Sequence, residues 1–386
     1  MAVGIHRKTI AYIDKQAIIH NVQQEMKRLD KDTVLYAVVK ADGYGHGAIE
    51  VAKAAKKGGA SGFCVAILDE ALELREAGFT EPILILGLVD VKYVELLVLN
   101  KFSVTVGSLD WLEKANEIIR VNEYNEKLYV HIALDTGMGR IGIRTKEELQ
   151  EIERWLDGNE RICFEGVFTH FATADSPDQK QFEKQVSKFN ILVESLHRKP
   201  PFVHTANSAT ALWHKSSSSN LIRFGIAMYG LNPSGGVLSE PYQLTPAMKI
   251  SSEVNYVKQM QEGDTIGYGA TYSASQGEWV GTVPIGYGDG WPRGLQGQDV
   301  LVDGKRCEII GRVCMDQCMI RLPYEVEEGS EVILVGQSQE QLITLQEIAD
   351  HLNTIHYEIT CGLTARIPRR YDNTSIANSD KKTNIF

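Results

Sequence analysis

The sequence predicts an α/β protein in two parts: an N-terminal (β/α)8 TIM-type barrel over residues 9–243, then a mainly β domain over 244–376. Three observations carry this. Between residues 34 and 230 eight short apolar runs follow one another, spaced to leave room for helices. Most gaps repeat apolar residues every three or four positions, the period of a helix with one buried face. After Leu244 this alternation gives way to β-rich runs separated by glycine turns. An open doubly wound sheet shares the alternation, and the pattern alone does not separate the two. Eight units in roughly 230 residues fit the barrel better.

In order, Asp14 is a helix cap ahead of Ile18, Val22, Met26 and Leu29, which share one face. The eight β runs are 34–40, 62–68, 82–88, 102–108, 128–135, 164–171, 202–207 and 221–230. Helices are expected from Asp69 and Asp110, each opened by an acidic cap, and over 178–198, where Phe182, Val186, Phe189, Val193 and Leu196 form a stripe. Beyond 244 the expected strands are 252–260, 279–285, 300–302, 306–310 and 331–335, with a hairpin at Asp303-Gly304. Thr344 with Glu347 reads as a capping box opening one helix. Residues 1–8 are expected to join the second domain, and 377–386 to form a loose polar tail.

The 386 residues are 43% hydrophobic and 23% charged, a globular composition with enough apolar material for more than one domain. A formal net charge of −10 argues against a general nucleic-acid or membrane-surface binder, which needs a basic face. The first fifteen residues carry charges throughout, and no apolar run reaches membrane-spanning length, so a cytoplasmic location is the expectation. The six cysteines lack metal-ligand spacing and read as buried thiols.

In a barrel, functional side chains gather at the carboxyl ends of the strands. Those ends offer Lys40, Arg140, His170, Asn207-Ser208 and Arg223 to Ile226. An amine at the end of an apolar strand, flanked by cations, is a candidate nucleophile toward a carbonyl. Ser208 and the backbone N–H groups of Gly225 and Ile226 stand where barrels commonly hold phosphate. The set is complementary to an anion carrying an aldehyde and a phosphate.

Seven segments, 37–47, 135–144, 167–175, 204–208, 223–230, 267–272 and 312–316, occur in an order that resembles bacterial alanine racemase, a fold type III family dependent on pyridoxal 5'-phosphate. The resemblance spans both domains. It implies a head-to-tail homodimer with shared active sites, L- and D-alanine as substrates, and a product used for peptidoglycan. Lys40 would carry the cofactor, surrounded by Tyr44, His170, Asn207, Ser208, Arg223, Gly225, Ile226 and Tyr357. Arg140 and the Met315 amide would hold the substrate carboxylate. Tyr268, reaching Lys40 from the other subunit, would be the second base, with His170 as a candidate relay. His204, Tyr287, Asp316, Arg293 and Arg312 would support the site, several of them at a narrow entrance.

Racemisation removes a proton from one face of Cα and returns one to the other, so two acid/base groups are the simplest solution. Lys40 is assigned the proton of D-alanine and Tyr268 that of L-alanine. Three departures from the family pattern stand out: Asp42-Gly43 for Asn-Ala, Gly288 for Ala, and Ala133 where many members carry a carbamylated lysine. Chloride near Ala133 and Arg140 is the expected substitute. A broader racemase acting on serine, a non-catalytic pyridoxal phosphate binder and a decarboxylase of the same fold are the competing readings. No metal is expected.

Overall fold

The computed structural model describes residues 2–214 and 219–372; the expected tail over 377–386 lies outside them. The chain clusters into two units, one of Ile18–Gly43 and Ala48–Thr245, the other of residues up to Ala17, Tyr44–Gly47 and Pro246 onward. The first strand, β1 (Ile10–Asp14), belongs to the second unit, although the barrel was expected to start at residue 9. Its partners explain the difference: β1 pairs antiparallel with Met248–Glu253 and parallel with Arg369–Asp372, both far away in sequence.

The barrel strands are β2 (Val34–Val38), β3 (Gly62–Val65), β4 (Ile83–Leu88), β5 (Ser103–Val106), β6 (Leu128–Ala133), β7 (Ile162–Phe168), β8 (Phe202–His204) and β9 (Leu221–Phe224). Neighbours in sequence pair in parallel from β2 to β8, and β9 returns to pair with β2. A parallel bridge between Ala206 and Ile222, with the Arg223 N–H donating to the Ala206 carbonyl at 2.9 Å, links the two remaining ends. First strand against last is the topology of a closed barrel, and it removes the doubly wound alternative. All eight expected runs contain a strand; run 164–171 is shifted, its strand starting at Ile162.

Helix starts depend on local capping. Asp14 accepts from the Gln16 N–H at 2.7 Å, as expected of a cap. The helix Leu109–Val121 is capped by Ser108, whose hydroxyl accepts from the Trp111 N–H, while Asp110 sits within the first turn and pairs with Lys114. The helix Leu68–Glu76 likewise begins before Asp69, and the Glu70 carboxylate takes the N–H groups of Ala66 and Ile67. The stripe over 178–198 becomes the helix Lys180–Val193.

The second unit is built on a ten-stranded, largely antiparallel sheet. Its hairpin at Asp303-Gly304 is formed, with Val302 opposite Lys305 and φ of 47° and 71° at the two turn residues, a type I′ geometry. Run 252–260 is divided between Met248–Glu253 and Tyr256–Gln259. Thr344 caps the helix Leu345–His351, but only half of the expected box forms, because the Glu347 carboxylate bonds Arg306 at 2.7 Å. A further helix, His356–Gly362, was not anticipated. Of the six free cysteines, Cys64, Cys307 and Cys318 are buried, Cys163 and Cys314 partly so, and Cys361 is exposed. Among the described residues no helix is long and apolar enough to cross a membrane, and no cluster suits a metal ion.

Candidate active site

Lys40 stands two residues beyond β2, where Val39 is still tied to the barrel by its N–H bond to the Cys64 carbonyl at 2.9 Å. The next four residues, Ala41, Asp42, Gly43 and Tyr44, all have φ between 51° and 60°. Three of them carry a Cβ, and a left-handed turn costs such residues about 1–2 kcal/mol each. Three bonds hold it: Ala41 N–H to Glu70 Oε1 at 2.6 Å, Gly43 N–H to the Val39 carbonyl at 2.8 Å, and Ala48 N–H to Asp42 Oδ1 at 2.9 Å. The turn halts β2 at once and leaves the lysine partly exposed at its end.

Three other barrel-end groups lie in electrostatic reach of one another. His170 follows β7, and burial, then the charges of Arg223, Arg140 and Lys40, push its pKa down to about 3. It is a neutral imidazole near pH 7. Arg223 is 4% exposed, and burial pulls its pKa down to about 10, which leaves the guanidinium charged at neutral pH. Its Nη1 donates to His204 Nδ1 at 2.6 Å and its Nη2 to the Thr169 carbonyl at 2.9 Å, while its Cζ lies 5.3 Å from the centre of the Phe168 ring. His170 Nδ1 is 3.5 Å from Nη2.

Beside this cation the Ser208 hydroxyl accepts from the N–H of Gly225 at 2.9 Å and from Ala227 at 3.4 Å. Asn207 caps the short helix Ser208–Trp213, its Oδ1 accepting from the Thr210 N–H. Arg140 is exposed in the loop after β6, a loop folded by Asp135, which accepts from the N–H groups of Gly137 and Gly139. Among the described residues Arg140 has no hydrogen bond or ion pair. Ala133 is 2% exposed at the end of β6.

The remaining expected residues lie in the second unit. Tyr44 and Tyr357 come together with ring centres 6.1 Å apart. Arg293 reaches the faces of both Tyr268 and Tyr287, at 5.9 and 5.7 Å, and donates to the Val313 carbonyl. Tyr268 is 63% exposed. The carbonyl of Met315 accepts from the Gly288 N–H at 2.8 Å, and Asp316 pairs with Arg366 at 2.8 Å. Gly288 leaves room for this guanidinium, since a Cβ there would lie 2.4 Å from Arg366 Nη1 and displace the end of that side chain. Arg312 packs against Gly269.

Sequence reasoning missed Glu70, His131 and Glu165. Glu70 clasps the lysine turn; the other two continue the hydrogen bonding behind Arg223. Their one signal was polarity inside β runs and helix starts, which ordinary surface residues share.

A closed barrel ending in an amine, two guanidiniums and a neutral imidazole, in a chain with a second, mainly β unit, has the two-part architecture of the barrel racemases. Family models agree: the alanine racemase N-terminal domain matches residues 13–233 and the alanine racemase C-terminal domain residues 247–371. An alanine racemase of Levilactobacillus brevis is 53% identical over 96% of this chain and 100% of its own. The crystal structure of alanine racemase from E. faecalis superposes with a TM-score of 0.95 at 56% identity, covering 96% of this chain and 100% of that one. That of Bacillus anthracis with bound L-Ala-P gives 0.91 at 41%, covering 96% and 97%. The chain belongs to the alanine racemase family and is an enzyme of that kind, an amino-acid isomerase.

Proposed function

We propose that this enzyme interconverts L- and D-alanine with pyridoxal 5'-phosphate, as a homodimer with shared sites, in the cytoplasm, supplying D-alanine for peptidoglycan. The observation that carries the reading is the barrel end: an amine beside a buried guanidinium, a neutral imidazole and a serine-backed pair of backbone N–H groups. These residues fit an anionic pyridine aldehyde phosphate. Ser208, Gly225 and Ile226 would hold the phosphate, with Asn207, Tyr44 and Tyr357 around the ring. Arg223 would face the ring nitrogen, and Lys40 would bind the aldehyde carbon. When bound, the cofactor supplies the electron sink that makes the substrate Cα acidic.

The chain's own groups would do the rest. Arg140 and the Met315 amide orient the substrate carboxylate. Lys40 Nζ takes the Cα proton of D-alanine on one face, and Tyr268 of the partner subunit takes that of L-alanine on the other. Arg293, stacked on Tyr268, gives that phenol a fixed cationic neighbour. Arginine has no site to accept a proton from the ring nitrogen, so Arg223 keeps the sink weak and favours return of the proton to Cα. Tyr287, Arg312, Asp316 and His204 support these groups. The relative solved with L-Ala-P bound supports a small, alanine-like substrate.

Chloride beside Arg140 and Ala133 is part of the reading. It rests on an exposed guanidinium with no protein anion among the described residues and no side chain beyond Cβ at 133. Substrate affinity that rises with chloride is the expected result; independence from chloride discards the anion. The function as a whole is tested by cofactor-depleted protein. Added pyridoxal phosphate should restore chiral turnover of alanine in the natural enzyme and none in Lys40→Ala. Turnover without the cofactor would overturn it.

A further inference from the structure

Behind Arg223 a line of hydrogen bonds runs through the barrel interior. Nη1 of Arg223 meets His204 Nδ1 at 2.6 Å, His204 Nε2 meets His131 Nδ1 at 2.8 Å, and His131 Nε2 meets Glu165 Oε2 at 2.9 Å. Ser103 donates to the same carboxylate oxygen. His131 and His204 are 1% and 0% exposed, so the two imidazoles are shielded from water, while the Glu165 end of the line is half-buried.

Only one set of proton positions satisfies the line. Arginine has donors and no acceptor, so His204 Nδ1 must be bare and its proton must sit on Nε2. That proton needs an acceptor, which makes His131 Nδ1 bare and puts the His131 proton on Nε2, donated to Glu165. Both imidazoles are neutral, and every bond points from the cation toward the carboxylate. Any other tautomer would set N–H against N–H or lone pair against lone pair.

The backbone is adapted to this line. Val130 lies opposite Phe164 but His131 lies opposite Gly166, so Glu165 is the extra residue of a bulge in β7. Bulges re-aim side chains. A Cβ on Gly166 would lie 2.3 Å from His131 Nδ1, so the ring is seated only because residue 166 is glycine. Phe202 stacks on His131, and Phe168 on His204.

Arg223 has no carboxylate within ion-pair distance among the described residues, and a buried cation without an anion is strongly disfavoured. We propose that Glu165 is the remote counter-charge of Arg223, acting through His131 and His204 as a relay that fixes the guanidinium's orientation and proton positions. Glu165, His131 and His204 are then positioning residues, since none needs to touch a bound molecule. Electrostatics agree: burial alone would raise the Glu165 carboxyl, but the bonds from His131 and Ser103 hold it below its ordinary value. Burial and Arg223 keep His204 far below its own.

The step from relay to catalysis rests on the proposed role of Arg223 at the cofactor ring, so the test uses cofactor-free protein. Unfolding temperatures are measured near neutral pH for the natural protein, Glu165→Gln, Arg223→Met and the double variant, with Arg223→Lys replacing Met should that protein not fold. Glutamine keeps the size and accepts from His131 without the charge. The relay predicts that the double variant loses less than the sum of the single losses, because the carboxylate has nothing to balance once the cation is gone. Adding His204→Phe to all four proteins should bring the losses close to additive.

Simple additivity in the first cycle, or coupling that survives His204→Phe unchanged, would overturn the relay. A failed cofactor reading shows itself separately, as no absorbance change when pyridoxal phosphate is titrated in, and leaves the cycle untouched.

Discussion

At the scale of single residues, the proposed chemistry turns on the contrast between Arg223 and Lys40. One is a cation sealed in the barrel, the other an amine left partly open where a strand stops. The guanidinium cannot take a proton, so exchanging it for a group that can should change the outcome of the reaction and not only its rate. Arg223→Glu is expected to raise side transamination relative to racemisation by about ten-fold, equivalent to about 1.4 kcal/mol between the two barriers. The check is to follow pyruvate and D-alanine together; an unchanged ratio contradicts it. Lys40 and Arg223 were legible from sequence because Lys40 ends an apolar run and Arg223 interrupts one. Glu165 was not: its inward aim comes from a bulge, and an extra residue in a strand leaves no mark on a composition-based pattern.

The left-handed turn after Lys40 is the decisive element. Its three non-glycine residues would not hold that conformation alone, and Glu70 supplies a carboxylate to the Ala41, Ala66 and Ile67 N–H groups at once. Glu70→Ala should cost about 1–3 kcal/mol in unfolding measurements, with a matching loss of cofactor affinity. Retention of both would show that the turn is held elsewhere. By comparison, Thr145→Ala removes an ordinary cap from the helix Lys146–Asp157 and should cost about 1 kcal/mol with no change in cofactor affinity. Elements built on local signals, such as the Asp303-Gly304 turn and the Asp14 cap, were readable in advance. The strand Ile10–Asp14 was not, since its five residues become a strand only by pairing with segments more than two hundred positions away.

At the scale of the molecule, buried neutral histidines set the response to acid. Burial leads the lowering at His170, to about 3, and at His356, to about 4, and His204 moves the same way. Unfolded histidine titrates near about 6.5, so below that pH the unfolded chain binds protons that the folded chain refuses. Stability should hold above about pH 6.5 and fall steadily toward about pH 4 in the cofactor-free protein. A flat unfolding temperature across that window contradicts the assignment.

The proposed sharing of sites between two subunits makes a second prediction. Lys40→Ala and Tyr268→Ala proteins, each nearly inactive, should regain activity when unfolded and refolded together, because mixed dimers rebuild one intact site. No recovery would place both bases in one chain. The alternation of β runs made the barrel legible, whereas the ten-stranded sheet was only partly so, because antiparallel neighbours distant in sequence share no period.

The central claim is that two groups on opposite faces of Cα divide the proton transfers, and exchange in D2O addresses it directly. Alanine of each hand is incubated with the natural enzyme and with Tyr268→Phe, and Cα deuteration and configuration are followed by NMR and chiral separation. Exchange with inversion from both enantiomers in the natural enzyme, and selective loss of exchange from L-alanine in the variant, is the predicted result. Equal loss from both hands, or exchange from L-alanine that survives in Tyr268→Phe, would contradict a two-base division with Tyr268 on the L face.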